Sequence, residues 1–286
     1  MRTPAHRLPG ERLGGVHPPS LSTTRREVIS CSFPRSPWSV KALITAVETC
    51  LAFRHHGWVN EVLRVSTGEV TLAVWAWGSS AASSPPVVLL HGAGATSSTW
   101  EVVAKAIAAD RTVLAVDLRG HGASDHANHY SISTMADDIS ALLPKIADAP
   151  VDLVGHSLGG LVALRVAARH PGLLRRLVLE DVGMPHPRVP NPPSQPPGDL
   201  PFDWKVVEHV RPEVDNPAAD WLSVVRAIQA PTLVVAGRDS FVDAAHVHEL
   251  VTTLPDGRTV TLDTGHEVHA ERPDEFIAAL RAFLSP

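Results

Sequence analysis

The stretch that decides the fold is residues 151–160, which read VDLVGHSLGG. The first four residues form a short apolar run, residues 155–159 (GHSLG) follow at once, and an apolar helical pattern begins at Leu158. A strand, a serine between glycines and then a helix is the context that the G-x-S-x-G motif requires. Glycines leave room for neighbouring backbone where a chain turns sharply. The motif therefore predicts that Ser157 lies at the carboxyl end of a buried strand, beside the positive end of a helix.

Outward from this motif, short apolar runs alternate with helical patterns. On either side of residues 67–69 (TGE), apolar and polar residues alternate along the chain, which predicts a hairpin. Five of the six later runs are continuous, which is typical of strands buried on both faces of a parallel sheet, and the last alternates, as an edge strand does. The order predicts an α/β fold with a mostly parallel, doubly wound sheet. The predicted strands are 59–65, 70–77, 87–90, 112–116, 151–154, 177–179, 232–235 and 259–262, and the predicted helices are 98–109, 131–147, 158–169, 241–254 and 273–284.

One interval, residues 184–220, interrupts this alternation. It has no strand pattern, and ten of the 25 prolines of the chain fall between Pro185 and Pro217. A long loop of this kind is uncommon in a compact domain unless it is functional. We therefore predict a short, proline-rich lid with at most one or two short helices, one of them near 204–210. The predicted division is a disordered tail at 1–39, a helix at 40–57, a catalytic core at 58–183 and 221–286, and the lid at 184–220.

The composition narrows the class of function. The chain has 286 residues, two cysteines and a net charge of −5. Two cysteines exclude a disulfide scaffold, and the negative charge argues against nucleic-acid binding. No apolar run approaches the roughly 18 residues of a membrane span. We expect no nucleic-acid or membrane partner, a monomer or homodimer, and a cytoplasmic location, since faint export signals at residues 24–31 lack the apolar stretch that export needs.

A serine nucleophile requires a base, because its hydroxyl is a weak nucleophile at neutral pH. The candidate base is His266, which follows the last predicted strand, and His269 is the alternative. The base requires a carboxylate to orient it. Asp239, which follows the run 232–235, is the preferred acid, and Asp181, which follows the preceding strand, is the alternative.

Residues 91–94 (HGAG) follow the strand predicted at 87–90. Small side chains here allow the backbone N–H of Ala93 to face the site, and the N–H of Leu158 is the second predicted donor to an oxyanion. The turn matches neither G-x-G-x-x-G nor the P-loop lysine pattern, which argues against phosphate binding. His156 adjoins the serine, but we expect its side chain to point away and to pack.

Taken together, these motifs resemble the α/β-hydrolase fold superfamily, of the serine esterase/lipase type. The resemblance covers about residues 58–286 and includes 117–124 (DLRGHGAS), which it implies is a structural turn, and 265–276 (GHEVHAERPDEF). The chain order serine, aspartate, histidine agrees with it. It implies the triad Ser157, Asp239 and His266, and acyl transfer to water without a metal or organic cofactor. The substrate class it implies is a carboxylic ester or lactone.

The candidate substrate-binding residues are mostly apolar or aromatic, which favours a lipophilic small molecule. A C–C bond hydrolase, a thioesterase and a perhydrolase remain open, because the serine serves all of these reactions, and so does a non-catalytic ligand-binding protein. The candidates are Gly92, Trp100, Met184, Phe202, Trp204, Trp221, Phe241 and Val242.

Overall fold

The computed structural model describes residues 61–78 and 84–285. The tail and helix expected within residues 1–57 lie outside the described residues. The strands are β1 Glu61–Ser66, β2 Thr71–Trp77, β3 Ser84–Leu90, β4 Arg111–Asp117, β5 Val151–His156, β6 Leu174–Glu180, β7 Thr232–Gly237 and β8 Gly257–Leu262. The α-helices are α1 Glu101–Ile107, α2 Ile132–Ile146, α3 Leu158–Arg169, α4 Lys205–Asp215, α5 Trp221–Arg226, α6 Ala244–Thr253, α7 Val268–Glu271 and α8 Pro273–Leu284.

The strands form one eight-stranded sheet in the order β1-β2-β4-β3-β5-β6-β7-β8. The first two strands pair as an antiparallel hairpin, and β2 continues antiparallel to β4. All other pairings are parallel. These pairings confirm the predicted hairpin, the mostly parallel sheet and the edge position of the last strand.

Both faces of the central strands are buried, which explains why their sequences are continuously apolar. Leu114 and Leu153 belong to the hydrophobic core on one face, and their neighbours Val113 and Val154 belong to the core on the other. Side chains of α2 and α3 cover the first face, and side chains of α1 and α8 cover the second. The strands are therefore fixed between two layers, and their carboxyl ends meet at one edge of the sheet.

Local capping sets where the helices begin. At α2, the Ser131 hydroxyl accepts from the N–H of Thr134 at 2.9 Å, and the Thr134 hydroxyl accepts from the N–H of Ser131 at 3.1 Å. This capping box satisfies two groups that the helix leaves unpaired. At α6, the Asp243 carboxylate accepts from Ala245 N–H, so the helix begins at Ala244 rather than at residue 241. The helix predicted at 98–109 divides into a 3-10 turn and α1.

The 184–220 segment contains no helix or strand before α4. The helix expected near 204–210 is α4, which continues to Asp215 and is therefore longer than predicted. Its irregular part is nevertheless tied to α4 through Asp215, which is buried. The Asp215 carboxylate accepts from Nε of Arg188 at 2.7 Å and from Nε of Arg211 at 2.9 Å. Burial alone would raise the pKa of Asp215, but the two guanidinium groups hold it below its usual range.

A second set of contacts joins the 184–220 segment to the turn at residues 117–124. Gly122 N–H donates to the carbonyl of Pro201 at 2.8 Å, and Asp203 N–H donates to that of Gly120 at 2.7 Å. The Tyr130 hydroxyl donates to the Asp203 carboxylate at 2.9 Å. Burial raises the pKa of Tyr130 to about 12, so this donor keeps its proton at neutral pH. Within residues 61–78 and 84–285, no helix has the length and apolar character to cross a membrane.

Candidate active site

Ser157 occupies the turn between β5 and α3. Its backbone has φ 48° and ψ −113°, a geometry that strains a residue with a side chain by about 1–3 kcal/mol. Two glycines make the turn possible. A Cβ at Gly155 would lie 2.4 Å from the carbonyl oxygen of Gly159. A Cβ at Gly159 would lie 2.6 Å from the carbonyl oxygens of Leu90 and His91. The turn therefore has the tight geometry that the G-x-S-x-G motif predicts.

The structure brings His266 to Asp181 rather than to Asp239. Nδ1 of His266 lies 2.6 Å from Oδ2 of Asp181. The Asp181 side chain is 1% exposed, and that of His266 is 18% exposed. Asp239 is exposed, and its N–H donates to the carbonyl of Thr264 at 2.9 Å, which joins the loops after β7 and β8. The preferred pairing of His266 with Asp239 is thus not the one found, and the alternative is.

Asp181 is held for this contact on several sides. It follows β6 directly and has φ 50°. Its Oδ1 accepts from the N–H of Gly237 at 3.0 Å, and its Oδ2 also accepts from the hydroxyl of Ser240. Because the carboxylate accepts a hydrogen bond from Nδ1–H of His266, Nε2 of the neutral ring keeps a lone pair. The ring is therefore oriented as a base.

His156 is buried, as expected, and also contacts the loop that carries His266. Its Nε2 lies 3.1 Å from the backbone oxygen of His266, so Nε2 carries the hydrogen and donates. Burial lowers the pKa of His156 and favours its neutral form. A Cβ on Gly92 would lie only 2.7 Å from Nδ1 of this ring, so glycine is required there as well.

The predicted oxyanion donors, Ala93 and Leu158, line the same cavity as Ser157 and His266. Among backbone contacts of the described chain, neither N–H donates to a carbonyl. Within that part of the chain, both N–H groups therefore lack a backbone partner, and their role as oxyanion donors stays a prediction.

Two buried, neutral histidines support the loop that carries Ala93. Nε2 of His91 accepts from the N–H of Leu118 at 3.0 Å, and its Nδ1 donates to the carbonyl of Gly92 at 2.8 Å. Burial lowers the pKa of His91 to about 4. Nε2 of His121 accepts from the N–H of Gly94 at 3.4 Å, and burial lowers its pKa to about 3. Protonation of either ring would remove an acceptor from this loop.

The cavity has a volume of about 560 Å³. Ser157, His266 and Asp181 line it, together with several residues of the 184–220 segment. Beside it, His156, Glu267 and His269 bring possible metal-ligand atoms within 4.8 Å of one another. No other group of this kind occurs in the described residues.

A sequence profile of the alpha/beta hydrolase fold family matches residues 85–219. The sn-1-specific diacylglycerol lipase of Mus musculus is 25% identical over 253 residues, which cover 71% of this chain and 82% of that relative. An esterase of Mycobacterium tuberculosis is 37% identical over 129 residues, which cover 44% of this chain and 41% of that relative. The solved structure of an enol-lactonase from Burkholderia xenovorans superposes with a TM-score of 0.67 at 21% identity, covering 78% of this chain and 100% of that one.

The chain has the α/β-hydrolase fold. In sequence it is similar to proteins named as esterases and lipases.

Five of the eight candidate substrate-binding residues line the cavity: Met184, Phe202, Trp221, Phe241 and Val242.

The other three candidates do not line the cavity. Trp100 is fully buried and stacks on His269, with ring centroids 4.1 Å apart. Gly92 lies against the ring of His156 and Cβ of Ser157. Trp204 precedes α4 and tilts against Phe202, with ring centroids 6.2 Å apart. The cavity lining therefore gives these three candidates no support, because their sequence neighbourhood indicates proximity to the site but not the direction of the side chain.

The sequence reasoning missed the apolar face of α4. Val206, Val210 and Val214 recur every four residues and all line the cavity. Spacing of this kind is the signal of one helix face, and it was present in the sequence. The polar residues Arg188, Arg211 and Glu213 also line the cavity, and no comparable pattern identifies them.

Proposed function

We propose that this protein cleaves a carboxylic ester or lactone of a lipophilic small molecule through an acyl-enzyme on Ser157. The observation that carries the proposal is the 2.6 Å contact between Nδ1 of His266 and Oδ2 of Asp181, at a cavity that Ser157 also lines. A serine, an imidazole with its outer nitrogen unprotonated and a buried carboxylate are the groups that nucleophilic acyl transfer needs.

In the proposed reaction, Nε2 of His266 takes the proton of the Ser157 hydroxyl as its oxygen attacks the carbonyl carbon. Asp181 stabilises the imidazolium that forms. The N–H groups of Ala93 and Leu158 stabilise the oxyanion, and one such donor is worth about 3–4 kcal/mol in comparable enzymes. The imidazolium then gives its proton to the leaving alcohol, and an acyl-enzyme remains. Water, deprotonated by His266, hydrolyses this ester and restores Ser157.

The cavity supports a lipophilic substrate of moderate size. Its volume of about 560 Å³ falls within the usual range for small-molecule sites. Valines of α4, Met184 and two aromatic side chains, Phe202 and Trp221, form much of its wall. We infer that the 184–220 segment acts as the lid that selects the substrate, since it supplies most of these side chains.

A fluorophosphonate probe tests the nucleophile, because it labels activated serines covalently. We expect labelling of the wild type and of the Ser223→Ala control, whose serine is exposed on α5. We expect none of Ser157→Ala. If the folded wild type is not labelled, the proposed serine mechanism is wrong.

A substrate panel tests the bond that is cleaved. Aryl esters and lactones of increasing chain length are compared with matched thioesters and β-diketones. We expect the highest kcat/KM on the esters or lactones. A clear preference for thioesters or β-diketones would contradict the proposed bond class while leaving Ser157 as the nucleophile.

A further inference from the structure

Three side chains with metal-ligand chemistry converge behind the loop that carries His266. Nδ1 of His156 lies 3.9 Å from Oε2 of Glu267. Together with His269, these residues place one ligand atom each within 4.8 Å of one another. None of the three has a step in the proposed acyl transfer.

The hydrogen-bond partners of the two histidines indicate which ring nitrogen carries the hydrogen and which one keeps a lone pair in the neutral form. Nε2 of His156 donates to the backbone oxygen of His266, so its Nδ1 keeps a lone pair. Nδ1 of His269 lies 2.8 and 2.9 Å from the two carboxylate oxygens of Glu180, and Oε1 of Glu180 also accepts from the backbone N–H of His269. In the neutral ring, Nε2 of His269 then keeps a lone pair as well.

Nε2 of His269 is a buried polar atom without a hydrogen-bond partner in the described part of the chain. The side chain is 1% exposed, and Trp100 covers one face of its ring. Native proteins leave few buried polar groups unsatisfied, and such a group needs an explanation.

The cluster consists of acceptors only. Nδ1 of His156, Nε2 of His269 and the carboxylate of Glu267 all present lone pairs to one region. One water molecule can donate to the two buried ring nitrogens while solvent serves the half-exposed Glu267 carboxylate, whereas a cation binds all three groups at once.

We propose that His156, His269 and Glu267 form a binding site for a divalent transition-metal ion of the Zn²⁺ class. Two imidazole nitrogens and one carboxylate oxygen match the ligands that Zn²⁺ takes in proteins. In each histidine the other ring nitrogen donates to an oxygen, an arrangement that orients metal-binding histidines. Zn²⁺ has ligand distances of about 2.0–2.2 Å, so the ion draws the three groups together. Glu267 is half-exposed and lines the cavity, so it supplies both the adjustable ligand and the entry path.

The site is distinct from the proposed catalytic function, although the sequence analysis expected no metal. Its effect on the fold follows from its position. His156 ends β5, whereas Glu267 and His269 belong to the segment that follows β8. A bound ion therefore joins two parts of the chain that are far apart in sequence and stabilises the folded state by mass action.

The test uses the untagged full-length chain, with Zn²⁺ titrated by calorimetry and Co²⁺ followed by its visible absorption. Three variants each remove one ligand atom. His156→Gln retains a donor for the carbonyl of His266, His269→Asn retains a donor for Glu180, and Glu267→Gln changes an exposed side chain. The control is Glu249→Gln, whose carboxylate contacts Nε2 of His186 at 2.6 Å elsewhere on the molecule.

We expect one ion per chain in the wild type, and a loss of affinity of at least about tenfold in each ligand variant. The Glu249→Gln control should bind as tightly as the wild type and show the same Co²⁺ spectrum and rise in Tm. Binding that is equal in wild type and Glu267→Gln would overturn the proposal, as would a Zn²⁺-soaked crystal with only water between the two rings. Ser157→Ala should bind the ion normally, so failure of the metal site and failure of the serine mechanism are distinguishable.

Discussion

The serine turn at residues 155–160 and the 184–220 segment line one cavity but are built in different ways. Backbone packing fixes the serine turn: Ser157 N–H donates to the carbonyl of Glu180 at 3.0 Å, and no side chain fits at Gly155 or Gly159. A few backbone hydrogen bonds also anchor the 184–220 segment, but side chains add to them, above all the pair of arginines on Asp215. The first design tolerates few substitutions, whereas the second allows the cavity wall to vary while the reacting groups stay in place.

The largest expected effect is on kcat, and it tests whether Asp181 belongs with the serine turn as part of the reacting site. Asp181→Asn removes the carboxylate that orients His266, and we expect kcat on an aryl ester to fall by about 10⁴-fold. Asp239→Asn is the matched control and should keep wild-type kcat, because Asp239 is exposed and contacts the neighbouring loop only through its backbone. Near-full activity of Asp181→Asn would contradict the assignment.

Gly159→Ala tests the backbone packing of the serine turn. The new Cβ would lie 2.6 Å from two carbonyl oxygens of the neighbouring strand end, so the backbone must shift. We expect the free energy of unfolding to fall by about 2–4 kcal/mol, measured by urea denaturation. Gly172→Ala is the control, since nothing lies within 4 Å of its Cβ position. Equal stability of the two variants would show that this packing is not as tight as described.

The buried histidines beside the serine turn predict how the free energy of unfolding changes as the pH falls. The pKa of His121 is about 3 in the folded protein, below the value of about 6.5 in the unfolded chain. The unfolded chain therefore binds the proton first, and stability is lost as the pH falls below about 6.5. Between pH 7 and pH 5 we expect a loss of about 2 kcal/mol from this residue, measured by urea denaturation at each pH.

His121→Gln should remove this part of the pH dependence. His248→Gln is the matched control, because His248 lies exposed on α6. An unchanged slope in His121→Gln would contradict a buried, neutral imidazole.

The smallest expected effect is on KM, and it concerns the side chains of α4 that line the cavity. Val210 is buried and lines the cavity, so Val210→Ala should weaken binding of a long-chain ester and raise its KM by a few fold, while kcat for a short ester is retained. Val224→Ala on α5 is the control, because Val224 packs against the core without lining the cavity. A fall in kcat on every ester would mean that α4 also positions the reacting groups.

The same contrast explains what the sequence could predict. The serine turn was predictable because a short motif dictates its backbone. The central strands were predictable because burial on both faces leaves continuous apolar runs. Asp181 and Asp239 were not distinguishable, since β6 and β7 are neighbouring parallel strands that end at the same edge of the sheet. The choice depends on which carboxylate turns inward, and that is set by contacts with Gly237 and Ser240.

Side-chain direction limited the remaining predictions. Trp100 follows a motif near the site, yet its ring packs inward against His269. The metal-ligand cluster was also beyond sequence reasoning, because it depends on the spatial approach of His156 to the segment after β8.

The nucleophile itself can be observed directly. The wild type is mixed with an aryl ester, quenched in acid within the first turnovers, digested and analysed by peptide mass. We predict that the peptide containing Ser157 gains the mass of the acyl group, and that Ser157→Ala gains none at any position. An adduct on another residue, or wild-type turnover by Ser157→Ala, would contradict acyl transfer through Ser157.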